Sequence, residues 1–258
     1  MAELDYSHRF HVGNHGDVWK HVAWCAVLDA LRPRAVLDTH AGEGAYTLGP
    51  TGEWTAGVGR VWAAPELAGD PCVGRYLEAL RRLAGPRAYP GSPRLALDAL
   101  PPDGRWRGFE LQASAADALR HHLDDPRAEV VVGDGYAATG GDALALVDPP
   151  YVERDEWTRA PDAVAAHRGP ALLWYPIKSW SRPNVLLQRL RDRGVAWTAL
   201  DLVVTPIELK RPQLAGSGVV LTGEARAVVP ALAAAAARLG PALATHDRRW
   251  SLRVTSDG

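Results

Sequence analysis

Seven short apolar runs containing β-branched residues alternate with helical patterns along this chain. The runs are nearly continuous rather than alternating, which is typical of strands that are buried on both faces. The predicted strands cover residues 34–40, 106–112, 128–134, 143–149, 170–177, 196–204 and 216–223. This alternation predicts a doubly wound α/β sheet with helices on both faces.

Helical patterns fill most of the intervals, at residues 14–32, 114–123, 182–194 and 228–240. The last two predicted strands are different, because the dozen residues between them contain no clear helix. A short connection of this kind suits antiparallel strands. We therefore expect a mostly parallel sheet with one antiparallel strand at an edge.

Composition excludes several classes of protein. The 258 residues are 47% hydrophobic, which is enough for one large core. The formal net charge is −1, so no general basic field indicates a nucleic-acid partner, and any such contact must be local. Two cysteines are too few for a disulfide framework or a four-thiolate zinc site. The first residues lack the apolar run of a signal peptide, and we expect a cytoplasmic protein without a membrane partner.

The interval after the first strand is unusually long. In a nucleotide-binding α/β fold, the acidic residue at the end of the second strand follows the first loop by roughly 20 residues. Here the next strand-end acid is Glu110, and the excess contains two helix-like stretches. We predict a helical insertion over residues 50–90, with residues 1–49 and 91–258 forming the main domain and residues 1–33 its N-terminal tail and helix. Ser92 should cap or precede a helix over 93–100.

The first strand ends in the stretch AVLDTHAGEG, a small-residue loop in which Gly42 and Gly44 allow close approach of a ligand. The loop lacks the spacing of a dinucleotide fingerprint and the Gly-Lys-Ser/Thr of a P-loop. It resembles the first motif of class I S-adenosylmethionine-dependent methyltransferases, with His40 in place of the first glycine. Glu110 could then accept the ribose hydroxyls, and Asp134, before Gly135, the adenine amine, although capping and surface-turn roles are the alternatives.

The fourth of the long strands ends in Asp148-Pro149-Pro150-Tyr151. Two prolines restrict the backbone, so that the Asp148 carboxylate and the Pro149 carbonyl can both accept hydrogen bonds from one amino group. Tyr151 offers a flat face for stacking a base. These groups would hold a planar ring by its exocyclic amine and direct the nitrogen lone pair at a methyl donor.

Together these stretches resemble the RlmJ family of bacterial 23S ribosomal RNA adenine-N6 methyltransferases. The resemblance rests on YSHRFHVGNHGDVWKH (6–21), LDTHAGEGAY (37–46), GEW (52–54), YPGSP (89–93), VDPPY (147–151), LWYP (173–176) and GSG (216–218). It spans nearly the whole chain in order. It implies a Rossmann-like methyltransferase fold with a helical insertion, and S-adenosylmethionine as cofactor.

The resemblance also implies roles for individual residues. Asp148 matches the catalytic acid and also belongs to the cofactor pocket. The other implied cofactor-pocket residues are Lys20, His21, His40, Ser92, Glu110, Asp134 and Gly135. Tyr6 matches an aromatic residue that contacts substrate, as Pro149 and Tyr151 would. Five of the nine histidines lie in the first 40 residues, but the chain has no His-Glu-x-x-His motif and no paired Cys, and its carboxylates are not at ligand spacing, so no metal is predicted.

The expected activity is methylation of an adenine N6 in 23S ribosomal RNA by a monomeric enzyme. Arginine-rich segments at 75–94 and 178–193 are candidate RNA contacts, although such runs are more often solvated helix faces. A DNA adenine methyltransferase shares the Asp-Pro-Pro-Tyr motif, but would normally carry a separate recognition domain. A glutamine methyltransferase would favour Asn at position 148, and a non-catalytic nucleoside-binding module is the remaining alternative.

Overall fold

The computed structural model describes residues 11–85, 87–209 and 214–257. The α-helices of this part are α1 (His15–Leu31), α2 (Val58–Trp62), α3 (Pro71–Leu83), α4 (Ser92–Ala99), α5 (Ala113–Leu123), α6 (Glu156–Ala166), α7 (Ser181–Asp192) and α8 (Val229–Leu243). The strands are β1 (Ala35–Asp38), β2 (Ala45–Thr47), β3 (Ala88–Pro90), β4 (Arg105–Glu110), β5 (Ala128–Val132), β6 (Leu144–Val147), β7 (Ala171–Ile177), β8 (Trp197–Val203), β9 (Gly216–Thr222) and β10 (Ser251–Asp257). All seven predicted strands are present.

Eight strands form the central sheet, in the order β10-β8-β9-β7-β6-β1-β4-β5. The half from β7 to β5 is parallel throughout. Strand β6 in this part is fully buried, and its alternate residues belong to two hydrophobic clusters. Leu144 and Leu146 pack on the side of α1, α3, α4 and α8, whereas Ala145 and Val147 pack on the side of α6 and α7. Helices therefore cover both faces, which confirms the predicted α/β class.

The antiparallel part of the sheet differs from the expectation in one respect. β9 is antiparallel as predicted, but it lies between β7 and β8 instead of at an edge. The edge is β10, which pairs antiparallel with β8 and was not predicted. Every side chain of β10 is exposed or half-buried, so its sequence lacks the apolar run that revealed the other strands. An edge strand needs only one covered face, and this explains the weak signal.

Helix α1 runs through the core and brings its first turns to the carboxyl edge of the sheet. Asn14 caps it by accepting a hydrogen bond from the Asp17 amide at 3.0 Å. All residues from 16 to 28 are buried, including polar Asp17, Lys20 and His21. Buried polar side chains need hydrogen-bonding or charged partners. Asp17, Lys20 and His21 all line the cleft described below, where their partners are given.

The interval from 50 to 90 contains α2, α3 and the short strand β3, which pairs with β2. Asp70 caps α3 by accepting from the amides of Cys72 and Val73, and Pro71 follows it. The buried faces of both helices join the same hydrophobic cluster as α1 and α8. The boundaries of an inserted subdomain remain a prediction.

Helix α4 begins one residue earlier than the sequence predicted. Ser92 is the first residue of α4 and does not cap it, since Gly91 occupies the cap position.

The segment Gly223–Leu243, which ends in α8, is long and apolar enough to cross a membrane by length and composition alone. Its Leu232, Leu239 and Leu243 are fully buried in the same hydrophobic cluster as α1.

Candidate active site

A cleft of about 970 Å³ opens at the carboxyl ends of the parallel strands. This is where open α/β sheets bind ligands. Ten of the residues singled out from the sequence line it: Lys20, His21, His40, Ser92, Glu110, Asp134, Gly135, Asp148, Pro149 and Tyr151. The eleventh, Tyr6, lies outside the described residues. Residues that are far apart in the sequence thus converge on one cavity.

Glu110, at the end of β4, holds the loop that follows β1. One carboxylate oxygen accepts a hydrogen bond from the Gly42 amide at 3.0 Å, and the other accepts from the Gln112 amide at 2.9 Å. Gly42 has a φ of +60°, which favours glycine, and a side chain there would overlap the Tyr46 hydroxyl. The loop backbone is therefore fixed against β4 and faces the cleft.

Asp38 ends β1 beneath this loop and was not predicted as a site residue. Its carboxylate accepts from the Ser92 hydroxyl at 2.7 Å and from the His40 amide at 3.3 Å. The side chain is fully buried, and burial raises the pKa of Asp38 to about 7 in spite of these hydrogen bonds. Ser92 therefore links α4 to the loop, a role that the motif itself did not reveal.

Replacing Asp38 by asparagine should change how stability depends on pH. The folded-state pKa of about 7 lies above the ordinary value of 3.8, so wild type loses stability as pH rises between these values. Asparagine cannot ionise, and Asp38→Asn should therefore gain stability relative to wild type as pH rises. Each whole unit by which the folded-state pKa exceeds the ordinary one corresponds to at most roughly 1.4 kcal/mol. Melting temperatures of both proteins at about pH 5 and pH 8 measure this gain. If the melting temperatures of Asp38→Asn and wild type differ by the same amount at both pH values, folding does not raise the pKa of Asp38.

His40 packs into the wall of the cleft as a neutral side chain. Burial lowers its pKa to about 4, although the nearby Asp134 opposes this. Its Nδ1 lies 2.8 Å from the Thr39 hydroxyl, and its ring meets the edge of Tyr136 at 4.8 Å between centroids. Gly135 approaches the backbone of Thr39 so closely that a Cβ would overlap its carbonyl. The ends of β1 and β5 therefore form one continuous wall.

Asp134 has two partners in this structure. Its carboxylate accepts from the Tyr136 amide at 3.0 Å and forms an ion pair with Arg159 of α6. The Arg159 guanidinium lies 4.4 Å from the centroid of the Tyr136 ring. A ligand amine at Asp134 would have to share the carboxylate with Arg159. Sequence reasoning missed Arg159, because α6 contains Pro161 and was not predicted as a helix.

Asp148 directly follows β6 and forms a buried ion pair with Lys20 of α1. The Lys20 Nζ lies 2.6 Å from an Asp148 oxygen and 2.9 Å from an oxygen of Asp17. Burial alone would lower the pKa of Lys20, but the two carboxylates raise it well above its ordinary value. Asp17 in turn accepts from the Gly13 amide at 2.9 Å. Lys20 thus stays protonated and fixes the Asp148 carboxylate.

The residues after Asp148 are held in one unusual conformation. Tyr151 has a φ of +54°, which is uncommon for a residue other than glycine. Its hydroxyl donates to the Trp174 carbonyl at 2.9 Å, and its ring lies 4.3 Å from that of Trp157. Backbone strain of this kind persists where surrounding contacts impose it, often at functional sites. The motif is therefore a rigid turn on the wall of the cleft.

Two tyrosine hydroxyls hold His21 in place. Its Nδ1 lies 2.9 Å from the hydroxyl of Tyr89, which lies 3.0 Å from that of Tyr76. Its ring stacks on Tyr89 with 5.4 Å between centroids. These contacts join α1, α3 and β3 beside the cleft. His21 faces the cavity, but its contacts with these phenols also explain its burial.

Known proteins share both the sequence and the architecture of this chain. A family model described as "Ribosomal RNA large subunit methyltransferase D, RlmJ" matches residues 32–253. The chain is 30% identical over 245 residues to "Ribosomal RNA large subunit methyltransferase J" of Haemophilus influenzae, covering 84% of this chain and 86% of that protein. The protein of the same name from Escherichia coli K12 is 30% identical over 244 residues, with the same coverage. In structure, protein LPL1258 from Legionella pneumophila matches with a TM-score of 0.83 at 23% identity, covering 95% of this chain and 98% of that one.

Proposed function

The chain belongs to the RlmJ family of large-subunit ribosomal RNA methyltransferases, and from that membership we propose that it methylates the exocyclic N6 of an adenine in 23S ribosomal RNA. S-adenosylmethionine is the proposed methyl donor. We propose further that the chain acts as a monomer in the cytoplasm.

One observation carries the choice of an amine as the target. Asp148, Pro149 and Tyr151 form a rigid turn on the wall of a cleft large enough for a cofactor and a second nucleoside. The Asp148 carboxylate and the Pro149 carbonyl are acceptors without protons, which suits an –NH₂ group. Tyr151 and the neighbouring Trp174 offer aromatic surface to the base, worth about 1–3 kcal/mol for each stacked base.

The other wall of the cleft fits a nucleoside cofactor. Gly42 and Gly135 bring bare backbone to the cavity, since a side chain at either would overlap its neighbours. Glu110 would accept hydrogen bonds from ribose hydroxyls, and Asp134 would accept from an adenine amine. S-adenosylmethionine, when bound, supplies a methyl group activated by the adjacent sulfonium. No general base or covalent protein intermediate is needed for a direct displacement of this kind.

The residues of the chain then have separate tasks. A target adenine must leave its stack to enter the cleft. Asp148 and the Pro149 carbonyl would hold its amine and favour a pyramidal nitrogen, whose lone pair is available for attack. Lys20, kept protonated, holds Asp148 in place and maintains it as an anion. Asp148 can accept a proton late, after the nitrogen has become acidic by alkylation.

The experiment that tests this function offers the purified protein three acceptors. Labelled S-adenosylmethionine is incubated with the protein and with ribosomal RNA, DNA or protein. Label should enter the RNA alone and appear as N6-methyladenosine after digestion. Transfer into DNA or into protein glutamine instead would contradict the proposal, and absence of transfer to every acceptor would favour a nucleoside-binding module.

Glu110→Gln should weaken binding of S-adenosylmethionine about tenfold, because hydrogen bonds to a charged acceptor are each worth about 1.5–3 kcal/mol. Glu110 also holds Gly42, so calorimetry with the normal cofactor cannot separate the two roles. A 2′-deoxyribose analogue of the cofactor does separate them. Wild type should bind the analogue more weakly than the normal cofactor, and the variant should bind both about equally. If both proteins prefer the normal cofactor over the analogue by the same factor, Glu110 has only the structural role of holding Gly42.

A further inference from the structure

Two cations at the mouth of the cleft have no acidic partner among the described residues. The segment 178–193 carries five cations, of which Arg189 and Arg193 bind Asp162, and Arg191 binds Asp257. The two left over are Lys178 and Arg182, and both line the cleft. Of these five cations, three form ion pairs within the protein and two face the cleft.

The remaining lysine and arginine of the cleft wall are already neutralised. Lys20 lies between Asp148 and Asp17, and Arg159 is paired with Asp134. The net charge of the chain is −1. Among the residues that the structure describes, Lys178 and Arg182 are therefore the lysine and arginine of the cleft wall that remain available to a polyanion. A partner rich in phosphate would supply the missing counter-charge.

The turn that carries these two cations is fixed to the sheet. It joins β7 to α7, and Trp180 within it lies under the Arg253 guanidinium at 3.8 Å from the ring centroid. Arg253 binds the buried carboxylate of Asp201 at 2.8 Å. Asp201 also accepts a hydrogen bond from the hydroxyl of Tyr175 in β7. Trp180 is thus linked through Arg253 and Asp201 to the sheet, which restrains the backbone that carries both cations.

Sheet register explains why these groups meet. Tyr175, Gly218, Asp201 and Arg253 are Cα partners in a single row across β7, β9, β8 and β10. Gly218 has no side chain, so the Tyr175 hydroxyl reaches over it to Asp201. The LWYP and GSG stretches of the sequence therefore belong to one supporting network behind the turn.

We propose that Lys178 and Arg182 bind RNA phosphates beside the target adenine. The inference rests on the proposed function and names residues that would hold its substrate. A base that leaves its stack brings its own backbone to the mouth of the pocket. The amine site lies at the end of β6, and the next strand of the sheet, β7, leads directly into the turn with both cations. Phosphate contacts of this kind position the RNA strand without reading its base sequence.

The experiment compares two double variants that remove the same charge. Lys178→Gln/Arg182→Gln alters the proposed phosphate contacts. Arg238→Gln/Arg248→Gln alters two exposed arginines that line no part of the cleft and have no ion pair with the described residues. Affinity for a 23S ribosomal RNA fragment is measured by fluorescence anisotropy at several salt concentrations, and affinity for S-adenosylmethionine by calorimetry.

The first double variant should bind RNA at least tenfold more weakly at physiological salt. Its plot of log affinity against log salt should be shallower by about 1.4, since each lost single-strand phosphate contact removes about 0.7 from the slope. Cofactor affinity should be unchanged, and Lys178→Arg/Arg182→Lys should keep RNA affinity near that of wild type. The control variant should match wild type throughout.

Each of the other results has a defined meaning. If wild type methylates RNA and the first double variant matches the control in affinity and slope, the inference is wrong and the proposed function stands. If the first variant loses cofactor affinity instead, the two cations belong to the cofactor site and the inference is also wrong. If wild type itself neither binds nor methylates RNA, the proposed function fails, and the inference fails with it.

Discussion

Replacing Asp148 by alanine should reduce methyl transfer to RNA by about 10²–10³-fold, the scale of losing a group that acts in the transition state. The variant retains the Asp17 partner of Lys20, at 2.9 Å, so the buried ammonium is not left without a counter-ion. The loss of stability should therefore be smaller than the roughly 3–5 kcal/mol of a fully broken buried pair. Single-turnover transfer at saturating cofactor and thermal melting, measured together, test this expectation.

Asp17→Asn is the matched control for Asp148→Ala. It alters the other carboxylate of the same lysine but leaves the proposed amine acceptor in place. Transfer by this control should fall less than tenfold. A folded Asp148→Ala protein with near-normal transfer, or equal losses in both variants, would show that Asp148 does not hold the amine.

Gly218→Ala should destabilise the fold by roughly 2–4 kcal/mol, which combines the cost of overpacking with damage to a buried polar network. A methyl group at this position would overlap both the Tyr175 ring and the Asp201 carboxylate. Both residues are fully buried, and neither can move without breaking the hydrogen bond between them. The melting temperature should drop by about 4–16 °C for a domain of this size.

Gly69→Ala provides the comparison, because a Cβ at Gly69 meets no atom within 4 Å. It should leave the melting temperature nearly unchanged. The double variant Tyr175→Phe/Gly218→Ala should recover little, since the phenyl ring still occupies the same space. Normal stability of Gly218→Ala would mean that the row across the four strands is not tightly packed.

Much of the fold was predictable because the strands from β6 to β9 are buried along nearly their whole length and are therefore apolar on both faces. Continuous apolar runs revealed β1 and β4 to β9 without any knowledge of their partners. The location of β9 between β7 and β8 was not predictable in this way, because pairing order depends on contacts distant in sequence. β10 was missed since its exposed side chains dilute the apolar signal. Pro161 similarly concealed α6.

The site was predictable where a short motif carries the chemistry. Asp148, Glu110 and Asp134 each lie at or just after the end of a strand, and the ends of parallel strands meet at one edge of the sheet. The partners of these residues were not predictable. Lys20 is 128 residues from Asp148, and Arg159 is 25 residues from Asp134. The raised pKa of Asp38 likewise arises from burial, which the sequence does not display directly.

The protein is proposed to methylate N6 of an adenine in 23S ribosomal RNA. The most direct measurement maps N6-methyladenosine on 23S ribosomal RNA from a strain that lacks the gene, and from the same strain complemented with wild type or with Asp148→Ala. We expect methylation of one adenine to disappear in the deletion strain, to return with wild type and to stay absent with Asp148→Ala. An unchanged methylation map in the deletion strain, or restoration by Asp148→Ala, would contradict the account.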